Sequence, residues 1–124
     1  MFTSIHWHCY MRVRDRRKAE RLVDRMRNLL GDPMEIESYG RYWKIPELAE
    51  VRLSSPLNQD NAAEALLNTL EAAWKLARGW RMIDADARRF EFEGIAAATT
   101  GAQFIVPGVE WIAFLITDDS AGSS

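Results

Sequence analysis

The stretch FTSIHWHCYMRV, residues 2–13, alternates between apolar and polar side chains from Ile5 onward. This alternation is typical of a β-strand with one face against a core and the other toward solvent or a partner. One face carries Ile5, Trp7, Cys9, Met11 and Val13, and the other carries Ser4, His6, His8, Tyr10 and Arg12. We therefore expect a strand that buries its apolar face and presents a polar-aromatic face.

Two helices are predicted from periodicity and end signals. The first follows Asp15, a good N-cap, and runs to about Leu30, where Gly31 provides a helix stop. The second opens at Asn61 with Glu64 three residues later and ends near Gly79. Its expected buried stripe comprises Ala63, Leu66, Leu67, Leu70, Ala73, Trp74 and Ala77. Three tryptophans are assigned to the core by their spacing: Trp7, Trp74 and Trp111.

Five further strands are predicted downstream of the first. They span Met34–Ile45, Leu48–Leu53, Trp80–Asp84, Arg89–Glu93 and Val109–Thr117, with Ser54-Ser55-Pro56 ending the second of them. The resulting order is β-α-β-β-α-β plus two extra strands. It predicts an α+β fold of the ferredoxin-like split β-α-β type, with two helices on one face of an antiparallel sheet.

Length and composition predict one domain, residues 1–117, followed by a disordered polar tail, residues 118–124. Apolar residues make up 48% of the chain and charged residues 27%, which is typical of a globular protein. The lone cysteine, Cys9, excludes an intramolecular disulfide and fits a reducing compartment. Residues 1–4 do not begin a signal peptide, and no window of about 18 apolar residues is present. A cytoplasmic protein without membrane contact is expected.

The charge is small in total but uneven along the chain. Residues 1–31 carry eight basic and three acidic side chains, whereas residues 32–124 carry eight basic and fifteen acidic ones. The basic run at residues 12–18 is interrupted by Asp15, and acids dominate the rest of the chain. This pattern favours a solvated helix face over nucleic-acid binding.

Metal and catalytic motifs are weak. His6 and His8 share a strand face and supply two ligands, whereas a zinc site needs at least three from the protein. Cys9 lies on the apolar face, where a thiol acts as a small hydrophobe. The chain contains no Gly-rich phosphate loop, no His-Glu-x-x-His and no Gly-x-Ser-x-Gly motif. We therefore predict no catalytic residue, no metal and no cofactor.

The remaining signal is surface chemistry. Candidate partner- or ligand-binding residues on the sheet face are His6, His8, Tyr10, Glu35, Glu37, Trp43, Glu91 and Glu93. Aromatic side chains are common anchors of protein interfaces, and acidic strand positions suit a basic partner surface.

Two resemblances bear on function. The segments RFEFEG, residues 89–94, and GVEWIAF, residues 108–114, resemble the late strands of small bacterial immunity proteins of polymorphic-toxin systems. This resemblance implies a non-enzymatic inhibitor that neutralises a toxin by binding it. It covers about a quarter of the chain and transfers no binding residue.

The predicted topology is also similar to that of dimeric αβ-barrel proteins, whose open sheet faces close around a small ligand. This second resemblance implies a homodimer that binds or oxidises a small hydrophobic molecule, as a monooxygenase-like enzyme does, with His6, His8 and Tyr10 lining the cavity. The sequence favours a protein-binding domain with a toxin-like partner and leaves the self-dimer as the alternative.

Overall fold

The computed structural model describes residues 1–86 and 91–118. The strands are β1 (Phe2–Met11), β2 (Glu35–Arg41), β3 (Ala49–Gln59), β4 (Ala77–Arg78), β5 (Arg81–Asp86), β6 (Glu91–Ala97), β7 (Gln103–Phe104) and β8 (Val109–Thr117). The helices are α1 (Arg16–Leu30) and α2 (Ala62–Leu76), with a single 3₁₀ turn at Ala98–Thr100.

Six strands form one antiparallel sheet in the order β2-β3-β1-β8-β6-β5. The two helices pack on one face of it, so the predicted α+β class is confirmed. The order β2-β3-β1-β8 is consistent with the ferredoxin-like split β-α-β arrangement. The two extra strands, β5 and β6, precede the last of these four in sequence and extend the sheet beyond it.

β1 lies inside the sheet, between β3 and β8, and its apolar side chains point into the core as predicted. Trp7 is buried there, with its ring edge-on to Phe114 at 6.2 Å and to Trp80 at 6.4 Å. The Trp7 indole N–H donates to the buried Ser55 hydroxyl at 2.9 Å. This bond satisfies a polar group that burial would otherwise destabilise.

The helix ends follow the predicted end signals. The Asp15 side chain accepts from the backbone N–H of Lys18, and Gly31 ends α1 in the left-handed conformation at φ 74°. The Asn61 side chain accepts from the backbone N–H of Glu64 at the start of α2. The second helix ends at Leu76, earlier than the predicted stop near Gly79, because Ala77 and Arg78 form β4.

The predicted buried stripe of α2 is right at Ala73 and Ala77, which are fully buried, and wrong at Ala63, Leu67 and Trp74, which are exposed. The fully buried positions of the helix are Ala65, Thr69, Ala73 and Leu76. Small residues at the first three let the helix approach the sheet closely, and the Thr69 hydroxyl donates to the Ala65 carbonyl. Leu67 and Trp74 are exposed instead, at 61% and 52%. The assignment of Trp74 to the core is therefore also wrong.

β3 continues through Ser54-Ser55-Pro56 to Gln59, past the predicted stop. Pro56 is tolerated because β2 pairs with β3 only as far as Ser54, so that side of β3 is a free edge there. A small second sheet, β4 with β7, was not predicted. Arg89 and Phe90, at the start of one predicted strand, lie outside the described residues, as do residues 119–124 of the predicted tail.

Within the described residues, no helix combines the length and apolar character needed to cross a membrane.

Candidate functional site: the open face of the sheet

The face of the sheet opposite the helices, here called the open face, carries the outward side chains of β1. His6, His8 and Tyr10 lie in its middle, because β1 has two strands on one side and three on the other. A groove of about 300 Å³ crosses this face. Its polar lining comprises His6, His8, Glu37, Arg52 and Glu93, and its apolar lining includes Trp111, Ala113 and Leu115.

The groove runs across the strands. Glu93 pairs with Leu115, and Leu115 pairs with His6, so β6, β8 and β1 contribute neighbouring positions. Arg52 on β3, whose partner on β1 is His8, and Glu37 on β2 line the rest of the groove. Four inter-strand spacings separate β2 from β6, so the distance between them across the sheet is about 19 Å. An elongated segment of a partner fits such a shape.

Aromatic rings form a continuous cluster along one side of the groove. Tyr10 stacks on Tyr42 with centroids 4.3 Å apart and lies 4.8 Å from Trp111. His8 contacts both Tyr10 and Trp111, at 5.0 and 5.1 Å. We call His8, Tyr10, Tyr42 and Trp111 the aromatic cluster. It ties the β2–β3 loop, which contains Tyr42, to the sheet.

Trp43 follows Tyr42 in that loop and is 79% exposed, the highest exposure among the large exposed hydrophobic side chains of the described residues. Its ring lies 6.3 Å from Tyr42, and the Lys44 ammonium sits 5.1 Å from it on the ring face. The cluster therefore supports a tryptophan that projects into solvent.

Glu50 binds two members of the cluster. Its Oε2 lies 2.8 Å from His8 Nε2 and 3.5 Å from the Tyr10 hydroxyl. Burial lowers the pKa of His8, and nearby Arg52 lowers it further, while the bond to Glu50 acts in the opposite direction. The His8 ring is therefore neutral at neutral pH, with Nε2–H donating to Glu50 and Nδ1 left as an acceptor.

Tyr10 stays protonated at physiological pH. Burial, together with its contacts to Tyr42 and Glu50, raises the pKa of Tyr10 to about 12. Its hydroxyl therefore acts as a hydrogen-bond donor and not as a base.

The charges along the groove alternate in sign. Glu37 lies at one end, Glu93 at the other and Arg52 between them. Glu37 leans toward β1, with its Oε1 3.9 Å from His6 Nδ1. Arg52 makes no ion pair with the residues that the structure describes, so its guanidinium is available to a partner's acidic group.

Cys9 has no access to the groove. It is fully buried on the core face, and burial raises the pKa of its thiol to about 12. A thiolate does not form there at neutral pH. Across residues 1–86 and 91–118, no three His, Cys, Asp or Glu side chains come together as a metal site would require.

The predicted site residues do not all meet. His6, His8, Glu37 and Glu93 line the groove, and Tyr10 and Trp43 belong to the adjoining aromatic surface. Glu35 instead lines a separate depression with Pro33 and Ser54, at the far end of β2. Glu91 pairs with Thr117 at the other end of β6 from Ala97 and does not line the groove.

Four contributors were missed by the sequence prediction: Tyr42, Glu50, Arg52 and Trp111. The assignment of Trp111 to the core is wrong, since it is only half-buried and lies on the open face. The alternation of Trp111, Ala113 and Leu115 signalled a shared face. Which face that was depends on the pairing of β8 with β1, which places Trp111 beside Tyr10.

Comparisons with known proteins found no relative of this chain: it matches no family model, no curated protein and no solved structure.

Proposed function

We propose that this chain is a protein-binding domain that docks a partner with a basic surface on its open face. The observation that carries the proposal is Trp43, which is 79% exposed on a loop fixed to the groove by the aromatic cluster. An exposed indole on a rigid support is a typical interface anchor, because little side-chain entropy is lost when it is buried.

The charge pattern specifies the partner's chemistry. Glu37 and Glu93 at the ends of the groove suit two basic side chains up to about 19 Å apart. Arg52 between them suits an acidic or carbonyl group in the middle of the same partner segment. Complementary charges of this kind accelerate association and set the register of binding.

An immunity protein that neutralises a basic toxin is one function of this class. The resemblance of residues 89–94 and 108–114 to such proteins supports it. Of these segments, residues 91–94 belong to β6 and residues 109–114 to β8, two strands that contribute to the groove. The inhibitor would work by occupying the toxin surface with Trp43 and the groove, without chemistry of its own.

The test uses the purified products of the genes adjacent to this one, measured for binding by biolayer interferometry. For the product that binds, Trp43→Ala is expected to weaken affinity about 30-fold, equivalent to about 2 kcal/mol. The double variant Glu37→Lys/Glu93→Lys should slow association and reduce its dependence on salt. Trp74→Ala, a tryptophan removed from the helical side, is the matched control and should bind as the parent does.

The proposal is abandoned if none of these products binds, or if binding occurs and survives both open-face variants unchanged.

A second candidate is a small-molecule-binding homodimer in which two open faces close over the groove. The paired His8 and Glu50 favour it, because a neutral imidazole with a free Nδ1 can accept a proton from a ligand. A groove of about 300 Å³ is at the lower limit for small ligands and would need a second copy to enclose it. Sedimentation of Trp43→Ala tests this candidate, which predicts that removing this open-face ring weakens the dimer.

A further inference from the structure

The solvent side of α1 carries more positive charge than the helix itself can neutralise. The helix contains two acidic side chains, and one of them, Glu20, pairs with Arg16. The other, Asp24, pairs with Arg27. Four further cations of the helix are exposed and make no ion pair with any residue in the ranges 1–86 and 91–118: Arg17, Lys18, Arg21 and Arg25. We call these four residues the α1 basic arc.

The α1 basic arc occupies one side of the helix. At 3.6 residues per turn, its four members lie within about 100° of one another around the helix axis. Buried side chains such as Met26 and Leu30 lie on the other side and face the core. From Arg17 to Arg25 the arc extends about 12 Å along the axis. It therefore forms a continuous cationic strip on the surface.

This strip works against the stability of α1. The first turn of the helix contains Arg16, Arg17 and Lys18 and no acidic side chain, although the helix dipole favours negative charge there. Arg21 also has a like-charged neighbour one turn away in each direction, and like charges at this spacing repel each other. Departures of this kind from the rules of helix stability are expected at functional sites.

An apolar depression adjoins the α1 basic arc at Arg25. It has a volume of about 310 Å³ and lies between α1 and the connection from β7 to β8. Its polar lining consists of Arg25 and Asn28. Its apolar lining comprises Leu29, Ile105, Val106 and Pro107. One guanidinium thus belongs both to the cationic strip and to the apolar depression.

The wall of the depression opposite α1 is fixed by contacts with the core. The backbone N–H of Ile105 donates to the Leu76 carbonyl at the end of α2, at 2.9 Å, and the Val106 side chain is buried. The side chains of Ile105 and Leu29 are exposed on the two walls. The fold therefore leaves apolar groups in solvent on a surface that is already in place.

We propose that the α1 basic arc and this depression bind an acidic segment of another protein, with carboxylates on the arc and an apolar side chain in the depression. Opposite charge selects the partner and accelerates its encounter, and the apolar contact beside Arg25 sets the register of binding. The site goes beyond the proposed function, because it lies on the helical side and takes a partner opposite in charge to the one expected on the open face.

Two other anionic partners fit this surface less well. α1 contains no aromatic side chain, so the bases of a single-stranded nucleic acid find no ring to stack on along the arc. Leu29 and Ile105 line a depression, whereas a lipid surface is bound by apolar side chains that project into it. An acidic protein segment can reach both the cations and the depression.

Fluorescence anisotropy with a rhodamine-labelled peptide of four glutamates followed by two leucines tests the cationic part of the site. The parent chain should bind this peptide with a dissociation constant of about 10–100 µM. Arg21→Glu/Arg25→Glu should weaken binding at least about tenfold, because it reverses the charge of the arc. Lys44→Glu/Lys75→Glu is the matched control. It changes the net charge by the same amount outside α1 and should bind within about twofold of the parent.

A second peptide, with two glycines in place of the leucines, tests the depression. It should bind the parent about fivefold more weakly than the leucine peptide, because it lacks the apolar side chains. Ile105→Ser should weaken binding of the leucine peptide to the same level and leave binding of the glycine peptide unchanged. Circular dichroism of every variant shows that the helices and the sheet are retained.

Four results would overturn the proposal. One is no binding of the leucine peptide at protein concentrations up to about 1 mM. The second is equal weakening by the two charge-reversed double variants, which would mean that net charge alone attracts the peptide. The third is an Ile105→Ser variant that still prefers leucines to glycines. The fourth is tighter binding of the arc to an oligothymidylate of eight nucleotides, or to phosphatidylserine vesicles, than to the leucine peptide.

Discussion

The two faces of β1 carry aromatic side chains in opposite surroundings. On the inner face, Trp7 is enclosed by Trp80 and Phe114, and its N–H is satisfied by Ser55. On the outer face, His8 and Tyr10 contact other rings and stay partly exposed, with His8 lining the groove and Tyr10 beside it. The inner rings remove apolar area from water and hold the fold together, whereas the outer rings hold one another in place on an accessible surface.

This difference indicates how the molecule supports a binding surface. The stacking of Tyr10 on Tyr42 fixes the β2–β3 loop against a strand whose inner face is fully packed. The backbone at Trp43, next in the loop, is therefore held beside the sheet before a partner binds. Preorganisation of this kind increases affinity without adding contacts.

The largest effect expected on either side of this comparison is that of Trp7→Ala. Removing a fully buried tryptophan leaves a cavity and a Ser55 hydroxyl without its partner, so the free energy of unfolding should fall by about 4 kcal/mol. Trp43→Ala is the matched control on the solvent side and should change it by less than about 0.5 kcal/mol. Urea unfolding followed by circular dichroism measures the free energy of unfolding of both variants. Equal losses in the two variants would contradict the conclusion that the inner rings stabilise the fold and the outer tryptophan does not.

A smaller effect is expected where β6 crosses the core. A Cβ added at Gly94 would lie 2.5 Å from the Phe114 ring, which is itself fully buried. Gly94→Ala should therefore lower the free energy of unfolding by about 2 kcal/mol through overpacking. Gly40→Ala is the control in β2, where no atom lies within 4 Å of the added Cβ, and it should be neutral or slightly stabilising. The same denaturant titration compares the two, and a tolerated Gly94→Ala would show that Phe114 can move aside.

Local signals in the sequence predicted much of the fold. The alternation in residues 2–13 gave the inner and outer faces of β1, and Asp15, Gly31 and Asn61 marked helix ends that the structure confirms. The orientation of α2 could not be predicted this way, because both of its sides are apolar. The sheet selects the side with Ala65, Thr69 and Ala73, whose small side chains allow close packing, and periodicity alone does not contain that preference.

The sequence predicted which side chains of a single strand share a face, but it did not predict which residues of other strands lie beside them. His6, His8 and Tyr10 follow from alternation within β1, but their neighbours depend on strand register. Trp111 reaches Tyr10 through the pairing of β8 with β1, and Glu50 reaches His8 through that of β3 with β1. Those contacts join residues 42 and 101 positions apart, and no local pattern encodes them.

The smallest expected effect is on the pH dependence of stability, and it compares His8 with His6, which lies two residues away on the same face of β1. Burial, the largest influence, lowers the pKa of His8 below its ordinary value of 6.5. Near and below pH 6.5 the unfolded chain therefore binds more protons at this residue than the folded chain does. The stability that neutral His8 contributes is fully present above pH 6.5. It is lost as the pH falls from 6.5 toward the lowered pKa of His8 in the folded chain.

The free energy of unfolding of the parent should accordingly drop between pH 7 and pH 5, with one histidine contributing at most about 1.4 kcal/mol per pH unit. His8→Gln cannot titrate in this range, so its decline should be shallower than that of the parent. His6→Gln is the matched control, because His6 is half-exposed and its nearest carboxylate oxygen is 3.9 Å away. Chemical denaturation at several pH values gives the free energy of unfolding of each protein as a function of pH. Subtracting one curve from another removes the contribution of groups that titrate in all three proteins. If His8→Gln declined as steeply as the parent, the imidazole would be free of the burial that Trp111 and Tyr10 impose, and the aromatic cluster would be open in solution.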